Sequence, residues 1–123
     1  LTAEDTPMHA RLNYTFATEQ RTPLVTIFDT SVIFAGNAAP FTTQTVCNDH
    51  VLPRGARLFE LSSHVHRFGQ HFWIDAPDGE RLYESFVYND PVYRRYDPPL
   101  AFDGVTASER TLRYCVLYDN GIA

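Results

Sequence analysis

Along most of this chain apolar and polar residues alternate at every second position, in short runs broken by turn residues. Nowhere is a 3.6-residue period sustained, so the pattern predicts strands rather than helices. Residues 12–17 (Leu-Asn-Tyr-Thr-Phe-Ala) alternate well enough for a first strand. Residues 24–34 are apolar and β-branched, and read as one long strand or two broken near Asp29. A turn cluster at 36–40 precedes a β-branched strand at 42–47, and Pro53-Arg54-Gly55 turns the chain into a strand over 56–66. Arg67-Phe68-Gly69-Gln70 is a further turn. Residues 71–75 and 81–88 flank Pro77-Asp78-Gly79, a hairpin signal. Residues 89–99, with three prolines and a Tyr-Arg-Arg-Tyr tract, read as a loop, and 111–118 as the last strand. Short strands at this spacing predict an all-β, antiparallel fold, a β-sandwich or jelly roll. We expect at least about seven strands in two packed sheets and under about a tenth helix.

Length changes this picture little: 123 residues suit a single domain over 1–123, with a core of its own. Composition supports it, with 14% aromatic residues and frequent Thr and Val. The net charge of −5 argues against nucleic acid, whose phosphates demand a basic surface. No apolar run approaches the roughly 18 residues of a membrane span. The chain begins Leu1-Thr2-Ala3 with no visible signal peptide, as a processed product or a piece of something longer would. The sequon Asn13-Tyr14-Thr15 hints only weakly at secretion. Two cysteines, Cys47 and Cys115, allow one intrachain bridge or two buried thiols.

The candidate chemistry lies in His64-Val65-His66, at the end of the 56–66 strand. Residues two apart on a strand point the same way, so this pair offers two imidazoles to one point. Imidazole suits zinc, copper, iron and nickel. Phe59, Leu61 and Val65 share one face of that strand, and Leu58, Glu60, Ser62, His64 and His66 the other. Without a bulge, the first set faces the core and the histidines face outward or into a cleft. Phe59, Leu61, Val65, Phe72, Ile74, Leu112, Tyr114 and Val116 are accordingly expected to be buried. His71 could fold back toward the pair as a third ligand, or sit at a strand edge beside Trp73. The spacing is similar to that of cupins, but the glycine expected six residues before the first His and the second cupin motif are missing. His50 reads as a loop residue, and His9 carries no pattern. There is no Gly-x-Ser-x-Gly element. Neither cysteine sits at a predicted helix N-terminus.

Several elements in order carry a family resemblance. They are Ser62-Ser63-His64-Val65-His66-Arg67-Phe68-Gly69, a hairpin, Tyr88-Asn89-Asp90-Pro91, Pro98-Pro99-Leu100, and Leu112-Arg113-Tyr114-Cys115-Val116-Leu117-Tyr118-Asp119-Asn120. Over about residues 43–121 the chain resembles the C-terminal domain of copper type II, ascorbate-dependent monooxygenases. That family includes the peptidylglycine and dopamine hydroxylating enzymes. The resemblance implies a jelly-roll-like sandwich in which His64 and His66 hold the oxygen-binding copper together with a methionine. That methionine belongs to a Glu-Met-Cys element placed beyond Ala123; Met8, the only methionine, is elsewhere in the chain. It further implies a second copper domain as partner, an extracytoplasmic location, and Glu60 or Ser62 as acceptors for the histidines' other ring nitrogens. Relatives pair cysteines like Cys115 with the one after the methionine, which leaves a Cys47–Cys115 bridge open. The alternative is a non-catalytic structural or interaction module with a vestigial or empty metal site. It would self-associate or make contacts through the 88–96 loop with Arg94 and Arg95.

Overall fold

The β-branched and alternating runs do become strands in the computed structural model, which describes residues 10–19, 24–27 and 39–121. Six strands lie among the described residues: β1 (Thr43–Val51), β2 (Ala56–Leu61), β3 (Gly69–Asp75), β4 (Arg81–Ser85), β5 (Arg94–Phe102) and β6 (Thr111–Asp119). A single 3-10 turn, Ser108–Arg110, precedes β6. The fold is all-β, and every pairing is antiparallel. One sheet has the order β1-β6-β3-β4, and β2 and β5 form a second.

The two sheets share one core, as a sandwich requires. Leu58, Leu61 and Phe102 enter it from the β2-β5 sheet, and Ile74, Leu82, Tyr83 and Leu112 from the four-stranded one. The β3-β4 hairpin closes as the Pro77-Asp78-Gly79 signal predicts. The Ala76 amide donates to Glu80 O and the Gly79 amide to Ala76 O. Gly79, at φ +88°, occupies backbone space that a side chain resists. Directly opposed residues of a sheet share a face. Tyr83, Ile74 and Tyr114 therefore line the inner side, and Glu84, Trp73, Cys115 and Cys47 the outer side.

Four expectations are corrected. Residues 12–17 are exposed and belong to no strand, because no described edge pairs with them. Residues 24–27 are not strand either; the rest of the 24–34 run lies outside the described residues. The 89–99 loop is half strand, since β5 starts at Arg94 and absorbs Pro98 and Pro99. It does so by breaking the ladder there: Leu58 pairs with Leu100, but Glu60 pairs with Arg95. The prolines, which have no N–H to give, fall in the unpaired stretch. Finally, that irregularity upsets the parity of β2. Leu58 and Leu61 both turn inward, while Phe59 is 38% exposed instead of buried. Leu61, Ile74 and Leu112 are buried as expected, and Val65, Phe72, Tyr114 and Val116 are half-buried.

Candidate functional site

β2 stops where its partner does. Leu61 pairs with Arg94, the first residue of β5, and Pro91 lies just before it. His64 and His66 are therefore not on a strand, contrary to the sequence expectation, but in the segment 62–66 that follows. That segment keeps a two-residue alternation nonetheless. Ser63 is buried, His64 exposed, Val65 half-buried and His66 exposed.

Two anchors impose it. The Tyr83 hydroxyl, at the buried centre of β4, donates to Val92 O at 2.7 Å. Its one proton is thus committed, so the Ser63 hydroxyl, 3.2 Å away, donates to the Tyr83 oxygen. Further on, the Gly69 amide donates to His66 O at 2.8 Å. A Cβ on Gly69 would stand 3.0 Å from Val65 Cβ and Cγ2, tighter than ordinary contact, so glycine lets β3 begin this close to Val65 without displacing it. With Ser63 and Val65 drawn inward, His64 and His66 emerge together. Their ring centroids are 5.6 Å apart with the planes at 83°. The rings meet edge to face, and the separation falls in the roughly 5–6 Å range of two imidazoles bound through one nitrogen each to one ion at about 2.0–2.1 Å.

The other histidines stand apart. His71 is on β3, with Nε2 3.2 Å from Glu84 Oε2 and its ring stacked on Phe86 at 4.1 Å and on Trp73 at 4.6 Å. Arg81 covers Trp73 at 5.3 Å and donates to Glu84. His71 is thus built into an aromatic column on the outer sheet face, beside Trp73. His50 is not in a loop but in β1, half-buried opposite Leu112. His9 and Met8 lie outside the described residues. Among the described residues no group of three or more His, Cys, Asp or Glu could hold a metal ion. Glu60, expected as an acceptor for a histidine ring nitrogen, accepts from Arg95 Nε at 2.6 Å.

Cys47 and Cys115, cross-strand neighbours on β1 and β6, are joined in a disulfide, which settles the bridge the sequence left open. Such a bond is compatible with an extracytoplasmic protein. No helix among the described residues is long and apolar enough to cross a membrane. A cleft of about 580 Å³, floored by Leu82, Leu100 and Phe102 and rimmed by Asp78, Glu80 and Glu109, opens at the hairpin end of β3, opposite the histidines. In the 88–96 loop Val92 and Tyr93 are well exposed, and Arg94 lies over Tyr96 at 5.4 Å. The Ser63–Tyr83 contact escaped sequence reasoning, because no local pattern links residues twenty apart. No family model, no curated protein and no solved structure matches the chain.

Proposed function

We propose that this chain is a copper-binding β-sandwich, jelly-roll-like in its winding, from an extracytoplasmic monooxygenase. His64 and His66 are its two imidazole ligands. One observation carries the reading: two exposed histidine rings lie side by side, set by a buried serine–tyrosine contact on one flank and a glycine-tight turn on the other. An imidazole pair with room for further ligands suits a redox copper. When bound, the copper would supply oxygen-activating redox chemistry, with electrons from a second copper domain. The chain's own part is to hold two neutral imidazoles in fixed orientation while Tyr83 and Ser63 keep the segment from collapsing onto the sheet. The third ligand, a methionine by the family resemblance, comes from outside the described residues. Two imidazoles alone bind modestly.

Calorimetric titration of the purified chain with copper tests this. His64→Ala and His66→Ala should each weaken binding at least about tenfold, an expected loss of about 1.4 kcal/mol or more. His71→Ala should stay within about twofold. Unchanged binding in both His64→Ala and His66→Ala would remove the reading. The non-catalytic interaction module would then be the better account, and the exposed Val92 and Tyr93 favour it. Equal loss in His71→Ala would replace the pair with a three-histidine site.

A further inference from the structure

Among the described residues, 11–17 carry a clear strand pattern and no strand partner. Leu12, Tyr14 and Phe16 are 84%, 71% and 85% exposed. They lie two apart, with the Tyr14 and Phe16 rings edge to face at 5.4 Å. Water disfavours such a row of large apolar side chains on an unpaired segment, and rows of this kind mark an interaction surface. The sandwich, for its part, is lopsided: four strands face two, and both edges of the β2-β5 sheet are unpaired among the described residues. β5 is a poor acceptor, because Pro98 and Pro99 offer no N–H. β2 contains no proline, and an edge without one is a template for an added strand.

We propose that residues 11–17 are a donated strand, pairing antiparallel with β2 of a second copy of this chain. The side-chain pattern sets the register. With Phe16 opposite Ala56, Thr15 falls opposite Arg57 and Tyr14 opposite Leu58. Beyond that, β2 takes one extra residue between its inward side chains, Leu58 and Leu61. Taking that step as a bulge brings Leu12 opposite Leu61, and Leu12, Tyr14 and Phe16 then share the inner face with Ala56, Leu58 and Leu61. Asn13 and Thr15 face water. Reciprocal donation closes a two-fold dimer. The three donated side chains bury on the order of 400 Å² per copy, and with the receiving surfaces the total reaches the roughly 1,200–2,000 Å² of stable interfaces. Main-chain hydrogen bonds give the affinity in this mode, and alternate side chains the selectivity. This inference does not depend on the metal reading, since neither histidine takes part.

Sedimentation velocity on the whole chain should give twice the monomer mass. The double variant Leu12→Asp, Phe16→Asp should give the monomer and still unfold cooperatively in urea, because the segment lies outside the described sheets. The register is tested by mixing two variants that each add one cysteine to the intact Cys47–Cys115 pair, Thr15→Cys and Arg57→Cys, under mild oxidation. A disulfide-linked heterodimer forms only if the strand crosses between copies, and an Asp78→Cys control at the distant hairpin should not link to Thr15→Cys. Three results would each overturn the proposal. One is a monomeric wild-type chain. Another is a dimer that survives the double variant. The last is an internal link in the doubly substituted Thr15→Cys, Arg57→Cys chain with no heterodimer from the mixture, which would place the strand on its own sheet.

Discussion

The four-stranded and two-stranded sheets use similar residues but are held together differently. The β1–β6 ladder runs from Thr43–Asp119 to Val51–Thr111 without a register shift, and the Cys47–Cys115 disulfide crosses it between directly opposed residues. The β2–β5 ladder is interrupted between Leu58 and Glu60, exposes Phe59, and leans on ion pairs whose arginines are largely in solvent. Such pairs contribute at most about 1 kcal/mol each. The histidine pair follows the weaker sheet in sequence, yet it takes its position from the stronger one. Ser63 is tied to Tyr83, a β4 residue with 1% exposure that packs edge to face on Phe72. A segment outside a sheet can thus borrow the rigidity of one it does not belong to.

The sharpest way to break this contrast is to weaken the strong sheet. The disulfide closes a separation of 68 residues. Chain-entropy reasoning gives it about 4 kcal/mol, so the double variant Cys47→Ala, Cys115→Ala should lose roughly that in urea unfolding. A loss below about 1 kcal/mol would mean that the β1–β6 ladder needs no crosslink. Next in size, Leu112→Ala empties a site with 1% exposure and should cost about 2–5 kcal/mol, as should Leu61→Ala at 3%. Phe59→Ala, at the exposed position directly after the core residue Leu58, should cost under about 1 kcal/mol. If Phe59→Ala matched Leu61→Ala, the irregularity of β2 would be misplaced.

Much of this architecture was legible in the sequence, for physical reasons. The strands of the four-stranded sheet announce themselves by their β-branched and aromatic runs between turn residues, although alternation reports burial only in part: Leu82 and Tyr83 are adjacent and both buried, beside a register shift between β3 and β4. The Pro77-Asp78-Gly79 hairpin is local chemistry and needed no partner to be read. What escaped was relational. β5 was hidden because prolines normally exclude a strand, and only the broken pairing with β2 lets it carry two. Phe59 was misplaced because a register shift inverts every parity argument beyond it. At the candidate site, the adjacency of His64 and His66 was readable from their spacing. The reason for it was not, since Ser63, Tyr83 and Gly69 act through contacts across the fold.

A smaller effect isolates the anchor itself. Tyr83→Phe removes the hydroxyl that joins Ser63 to Val92, and should cost about 1 kcal/mol in stability. Its effect on copper affinity should be severalfold, because the segment is loosened while both imidazoles remain. Stability loss with unchanged affinity would show that the histidines position themselves. Smallest is a pH effect. Burial pushes the Tyr96 and Tyr118 phenols above their ordinary value of 10.0. The folded state therefore favours their neutral forms, and their contribution is complete below that pH and fades above it. Thermal melts should show a gradual fall in midpoint above about pH 10, reduced in Tyr118→Phe. A flat profile through that range would contradict the burial of both rings.

The central claim is that His64 and His66, and no third histidine, meet at one ion. Pulsed electron paramagnetic resonance of the copper(II)-loaded chain measures this directly, by counting the imidazoles whose remote nitrogens couple to the metal. The account predicts two coupled imidazoles in the wild-type chain, two in His71→Ala, and one in either His64→Ala or His66→Ala. Three in the wild type falling to two in His71→Ala, or a spectrum unaltered by His64→Ala and His66→Ala, would contradict it.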